Sequence, residues 1–132
     1  MATLTREMKD MIATQQCFIG TVNEAGIPNV APKRSMHVLS DDSLIFNEGT
    51  GGATYANLRR GSKVSVAVVN REILDGYRFV GSVTLQEEGP LFEQAAEMAA
   101  KIGMRKPIAV AIVHIEEIHS LKPGPGAGKK IA

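Results

Sequence analysis

At 132 residues, 44% of them hydrophobic and with a formal net charge of +1, the chain is sized for one domain, 1–132, with a substantial core. Its Lys and Arg residues are spread along the chain without a clustered basic face, which argues against a nucleic-acid surface. The single cysteine excludes an internal disulfide and any CxxC redox or metal motif, and no apolar run nears the ~20 residues of a membrane span.

The opening segment, Ala2 to Ile12, mixes acids and bases without an apolar leader core, so the expectation is a cytoplasmic protein. Within it Leu4, Met8, Met11 and Ile12 recur at helical spacing and predict a short amphipathic helix. Cys17 to Val22 is a dense apolar strand, in which Cys17 serves as a small buried hydrophobe. Asn23-Glu-Ala-Gly26 predicts a hairpin turn, with a return strand from about Pro28 to Leu39. Ser40 to Ser43 turns again, and Leu44 to Asn47 forms a strand that runs into a glycine-rich loop and a helix closed by Gly61.

Two strands with clear period-two alternation follow, around Val64, Val66 and Val68 and from Tyr77 to Leu85. Gly89-Pro90 starts a helix whose buried face is predicted to be Leu91, Ala95, Met98 and Ile102, with Gly103 as its cap. A last strand spans Ile108 to Ile118, and the Gly/Pro-rich tail, Lys122 to Gly128, is irregular. Hairpin spacing with helices only at the breaks predicts a mainly β fold: an antiparallel six-stranded sheet closed into a small barrel, with two or three short helices.

Two features carry chemistry. The first is Asn47-Glu-Gly-Thr-Gly-Gly-Ala-Thr54, where a strand empties through three glycines into a helix start. Unpartnered N–H groups there favour a phosphate, glycines let the backbone approach it, and Thr50 and Thr54 add hydroxyl donors. The competing reading is an ordinary turn, since neither a Walker loop nor a dinucleotide fingerprint is present. The second is Arg34. Read as one strand, the return segment puts Val30, Pro32, Arg34, Met36 and Val38 on one face and Asn29, Ala31, Lys33, Ser35 and His37 on the other. A charge in an apolar row is either a structural ion pair or rim residue, or it meets a ligand anion. Lys33, on the other face, is solvated unless the strand twists at Pro32. His114 and His119, five apart on one strand, are expected on opposite faces, and with His37 elsewhere no metal set assembles. No nucleophile elbow is present.

These elements, taken in order from about Cys17 to Ile118, resemble the FMN-binding family related to pyridoxamine 5′-phosphate oxidase, in its small single-domain members. The resemblance rests on the Asn23–Gly26 hairpin, Lys33-Arg34-Ser35, the glycine segment ending in Thr54-Tyr-Ala-Asn57-Leu58, the Val-rich strand, and Gly81-Ser82 leading into Gly89-Pro90-Leu91-Phe92-Glu93. It implies a Greek-key-like split β-barrel. It also implies FMN phosphate on Gly49, Thr50, Gly51, Thr54 and Asn57, with the flavin ring against Pro32, Lys33, Arg34, Ser35, Asn47 and Glu48. Related proteins are homodimers with flavin at the interface.

The chain departs from the family pattern at Ala53, where a Lys or Arg is common, and in Leu121 to Ala132, which lacks the Trp- and Arg-containing segment of the true oxidases. The resemblance therefore implies an FMN-dependent oxidoreductase or electron carrier with a small-molecule or protein redox partner, rather than a true pyridoxamine phosphate oxidase. A non-catalytic flavin or haem carrier on the same barrel is the second reading. An oligonucleotide-binding barrel is the third, poorly served by scattered charge and scarce aromatics.

Overall fold

The computed structural model describes all 132 residues, with three helices and seven strands. In chain order these are α1 (Arg6–Thr14), β1 (Cys17–Val22), β2 (Pro28–Pro32), β3 (His37–Ser40), β4 (Ser43–Glu48), α2 (Ala53–Arg59), β5 (Val64–Asn70), β6 (Asp75–Gln86), α3 (Pro90–Lys101) and β7 (Ala109–Ser120). Thr5 caps α1 through the Met8 amide, and Met8, Met11 and Ile12 face the core as their spacing predicts. In the hairpin between β1 and β2, the Asn23 side chain accepts from the amides of Ala25 and Ile27, and Gly26 takes the positive-φ position.

All strand pairs are antiparallel, in the order β2-β1-β5-β6-β7-β4-β3. The expected six strands are seven, and the sheet does not close: β2 and β3 are its two edges. The cause lies in the predicted Pro28–Leu39 strand, which breaks at a turn over Lys33 to Met36 closed by the Met36 amide on the Lys33 carbonyl. Its first half pairs with β1 and its second with β4, so this one segment carries the chain between opposite edges. The sheet nonetheless wraps a single core. Ile19 of β1, Val66 of β5, Phe79 of β6, Val113 of β7 and Phe46 of β4 share one buried cluster with Met8 and Ile12 of α1.

β6 and β7 form the longest ladder, interrupted by a bulge. Val80 pairs with Glu117 and Gly81 with Ile115, which leaves Glu116 unpaired. A Cβ on Gly81 would collide with the His114 carbonyl, so glycine is required where the bulged backbone presses in. The extra residue lets Ile115 and Ile118 both enter the core. It also brings His114 and His119 to the same outer face, against the expectation from simple alternation.

α3 is likewise turned from its predicted orientation. Phe92 and Ala99 are its buried residues, whereas Met98 and Ile102 are 59% and 68% exposed. The helix seats Phe92 against Ile45, Val110 and Ile112, with Leu91 and Ala95 at the margin. The tail returns along β7: the amides of Gly128 and Ile131 bond the carbonyls of Ser120 and Ile118, and Lys130 bridges His119.

Candidate functional site

The end of β2 and the turn after it, the end of β4, the glycine loop and the start of α2 converge around an open cavity of about 200 Å³. Asn29, Ala31 and Lys33 line one side, and Glu48, Thr50, Gly52, Ala53 and Thr54 the other. The cavity is built on Glu48, the last residue of β4, whose side chain is only 1% exposed. Its Oε1 lies 3.1 Å from Lys33 Nζ, and its Oε2 accepts from the Thr50 and Gly51 amides at 3.3 and 3.4 Å. A buried carboxylate is costly unless donors surround it, and here one cation and two backbone amides do. Lys33 also lies over the Phe46 ring, 5.3 Å from its centre. Gly51 takes φ +72°, a left-handed conformation that folds the loop around the Glu48 carboxylate.

Across the cavity Asn29 Nδ2 donates to Thr54 Oγ1 at 3.0 Å, which fixes the start of α2 to β2. Because Thr54 accepts that bond, its own hydroxyl hydrogen is available to a ligand. Gly52 caps α2 without a side chain, so the first amides of this seven-residue helix have no capping partner.

Several expected site residues fall elsewhere. Arg34 is not in an inward row: Pro28, Val30, Pro32 and Arg34 are exposed, and the inward positions are Asn29, Ala31 and Lys33. The apolar residues of β2 lie on the outer face of an edge strand, so apolar character there does not mark the core. Lys33, which the resemblance names among the flavin contacts, is the cavity cation, because the strand breaks just after Pro32. Pro32 and Arg34 do not line the cavity. Ser35 instead accepts from the Asn47 amide at 2.9 Å and ties the turn to β4. Asn57 is buried against Thr21 at 2.9 Å and accepts from Arg60 at 3.0 Å, which pins α2 to β1. Gly49 and Gly51 shape the loop rather than the lining, and Asn29 and Ala31 enter the site without having been singled out. Their signal was the alternation of β2, legible only once its inward side is known.

Elsewhere, Arg78 donates to His119 Nδ1 at 2.9 Å, His119 Nε2 meets Glu117 at 3.0 Å, and His114 Nε2 meets Thr84 at 2.8 Å. No group of three or more His, Cys, Asp or Glu side chains is placed to hold a metal. Burial pushes the Cys17 thiol up to about 11, so it stays protonated and unreactive. No helix is long and apolar enough to cross a membrane.

The family model for pyridoxamine 5'-phosphate oxidase matches residues 4–122. Among solved structures, HupZ of Group A Streptococcus is 44% identical with a TM-score of 0.85, over 95% of this chain and 99% of that one. A Lactobacillus delbrueckii protein provisionally assigned as a pyridoxamine 5'-phosphate oxidase is 31% identical at TM-score 0.75, over 88% and 93% of the two chains. An FMN-binding protein from Syntrophomonas wolfei, 19% identical at TM-score 0.73 over 88% and 84%, shares the fold. With the family model matched across nearly the whole sequence, the chain belongs to the pyridoxamine 5'-phosphate oxidase family.

Proposed function

We propose that this protein is an FMN-binding flavoprotein that acts as an oxidoreductase or electron carrier and is not a true pyridoxamine phosphate oxidase. The observation that carries the reading is the cavity at the glycine loop, where Thr54, Thr50, Asn29 and Lys33 present donors around a space suited to a phosphate and the start of a ribityl chain. Membership of the family and the FMN-binding protein of the same fold support it. At about 200 Å³ the cavity is below the ~300–1,000 Å³ of complete ligand pockets, so the ring extends beyond it. We propose that a second copy of the chain completes the pocket as a homodimer.

When bound, the flavin supplies hydride or electron transfer at its ring. The residues here bind and orient it: Thr54 donates its hydroxyl, Asn29 holds that hydroxyl in place, and Lys33 supplies the one cation of the lining. In the free protein Glu48, the one carboxylate of the lining, is held by three donors.

A visible spectrum of the purified protein tests the reading. Blue and near-ultraviolet bands that bleach with dithionite support it, a Soret band favours a haem carrier, and failure to take up added FMN refutes it. Thr54→Val then locates the phosphate. It should weaken FMN by about 1–2 kcal/mol and leave riboflavin nearly unchanged, and equal weakening of both places the phosphate elsewhere.

A further inference from the structure

We infer that Glu48 is an internal competitor for the ligand's phosphate: in the free protein its carboxylate occupies the anion-binding donors of the cavity, and phosphate binds by displacing it. The inference rests on the flavin reading and adds a specificity-determining residue to it. Two successive loop amides turned toward one point beside a cation make an anion site, and Gly51 at φ +72° gives the loop that shape. Glu48 fills this site, with Oε1 on Lys33 and Oε2 on the Thr50 and Gly51 amides.

The pair stands at the wall of an open cavity, where an entering ligand can reach it. Both partners line it, and Lys33 is the only cation among the lining residues. Ala53 offers no side-chain donor of its own. A phosphate entering while Glu48 stays in place meets a buried carboxylate and a neutralised lysine, which is repulsive at close range in a partly desolvated site. With Glu48 displaced, Lys33 and the two amides become available together. Glu48 therefore sets the affinity for phosphorylated ligands and leaves unphosphorylated ones little affected.

Glu48→Gln in the full-length chain tests this, with FMN, riboflavin and inorganic phosphate as probes and titration calorimetry as the readout. The glutamine keeps the shape but competes more weakly, and Lys33 at 14% side-chain exposure can turn to solvent, so the variant is expected to fold. FMN should bind about tenfold tighter, a modest change in free energy, while riboflavin changes by less than about twofold. A folded variant whose FMN affinity is unchanged or lower overturns the inference. If the variant does not fold, the wild-type amide resonances decide. Thr50 and Gly51 should shift when FMN or phosphate saturates the protein but not with riboflavin, and their failure to shift while FMN binds overturns it. Should neither flavin bind either protein, the flavin reading falls by itself. Phosphate that moves these two amides more readily in Glu48→Gln than in wild type still supports the competitor role, and equal response in both overturns it.

Discussion

Lys33→Met isolates the buried pair on which the cavity is built. Methionine keeps the unbranched stem and its packing on Phe46 but leaves the Glu48 carboxylate, 1% exposed, without its cation. Breaking a buried pair by removing one partner typically costs about 3–5 kcal/mol. Glu48 retains the amides of Thr50 and Gly51, so the lower end, about 3 kcal/mol, is expected. For 132 residues the unfolding entropy near the midpoint is about 0.28 kcal/mol per kelvin, which converts that loss into a melting shift of about 11 °C. Differential scanning calorimetry at neutral pH measures it directly. Two controls sharpen the test. Arg34→Met, at an exposed position, should change stability by less than about 0.5 kcal/mol, and Glu48→Leu added to Lys33→Met should recover much of the loss by removing the orphaned charge. A loss below about 1 kcal/mol for Lys33→Met, or a larger loss for Arg34→Met, would refute the reasoning.

Gly81→Ala should cost at least about 2 kcal/mol in chemical denaturation, because a methyl meets the His114 backbone, whereas Gly49→Ala, with open space around it, should be near neutral. The Cys17 thiol titrates at about 11 in the fold against an ordinary 9.0, so its contribution to stability is complete below pH 9 and is lost as pH rises toward 11. Unfolding free energies at pH 8 and 10.5 should fall more steeply for wild type than for Cys17→Ala, by up to about 2 kcal/mol; parallel slopes would show the thiol is not buried. If a second copy completes the pocket across the exposed outer face of β1 and β2, where Phe18 and Val30 stand, Val30→Asp should shift light scattering toward monomer and weaken FMN. A variant that stays dimeric with unchanged affinity would exclude that face.

Much of this architecture is local and was legible residue by residue. The amphipathic opening helix, the Asn23–Gly26 hairpin, the alternating valines of β5 and the glycine loop after β4 each follow from periodicity and turn chemistry within a few neighbours. What the sequence could not decide was which side of each element would be covered. β2 carries Val30 and Pro32 beside Arg34, and alternation alone assigns them the core. The tertiary structure makes β2 an edge strand and turns that face outward, so the adjacent Lys33 becomes the half-buried cation of the cavity. The break at Lys33 to Met36 depends on β1 and β4 competing for one segment, the shared face of His114 and His119 on a bulge opposite Gly81, and the rotation of α3 on where Phe92 finds its groove. The glycine loop after β4 was visible in the sequence, with a phosphate site and an ordinary turn as its two readings. That the Glu48 carboxylate would accept from its amides was not, because the carboxylate is stabilised by a lysine fifteen residues away, brought beside it only when the sheet curls. Alternation and turn chemistry are properties of neighbouring residues, whereas burial and ion pairing belong to the partners that folding brings together.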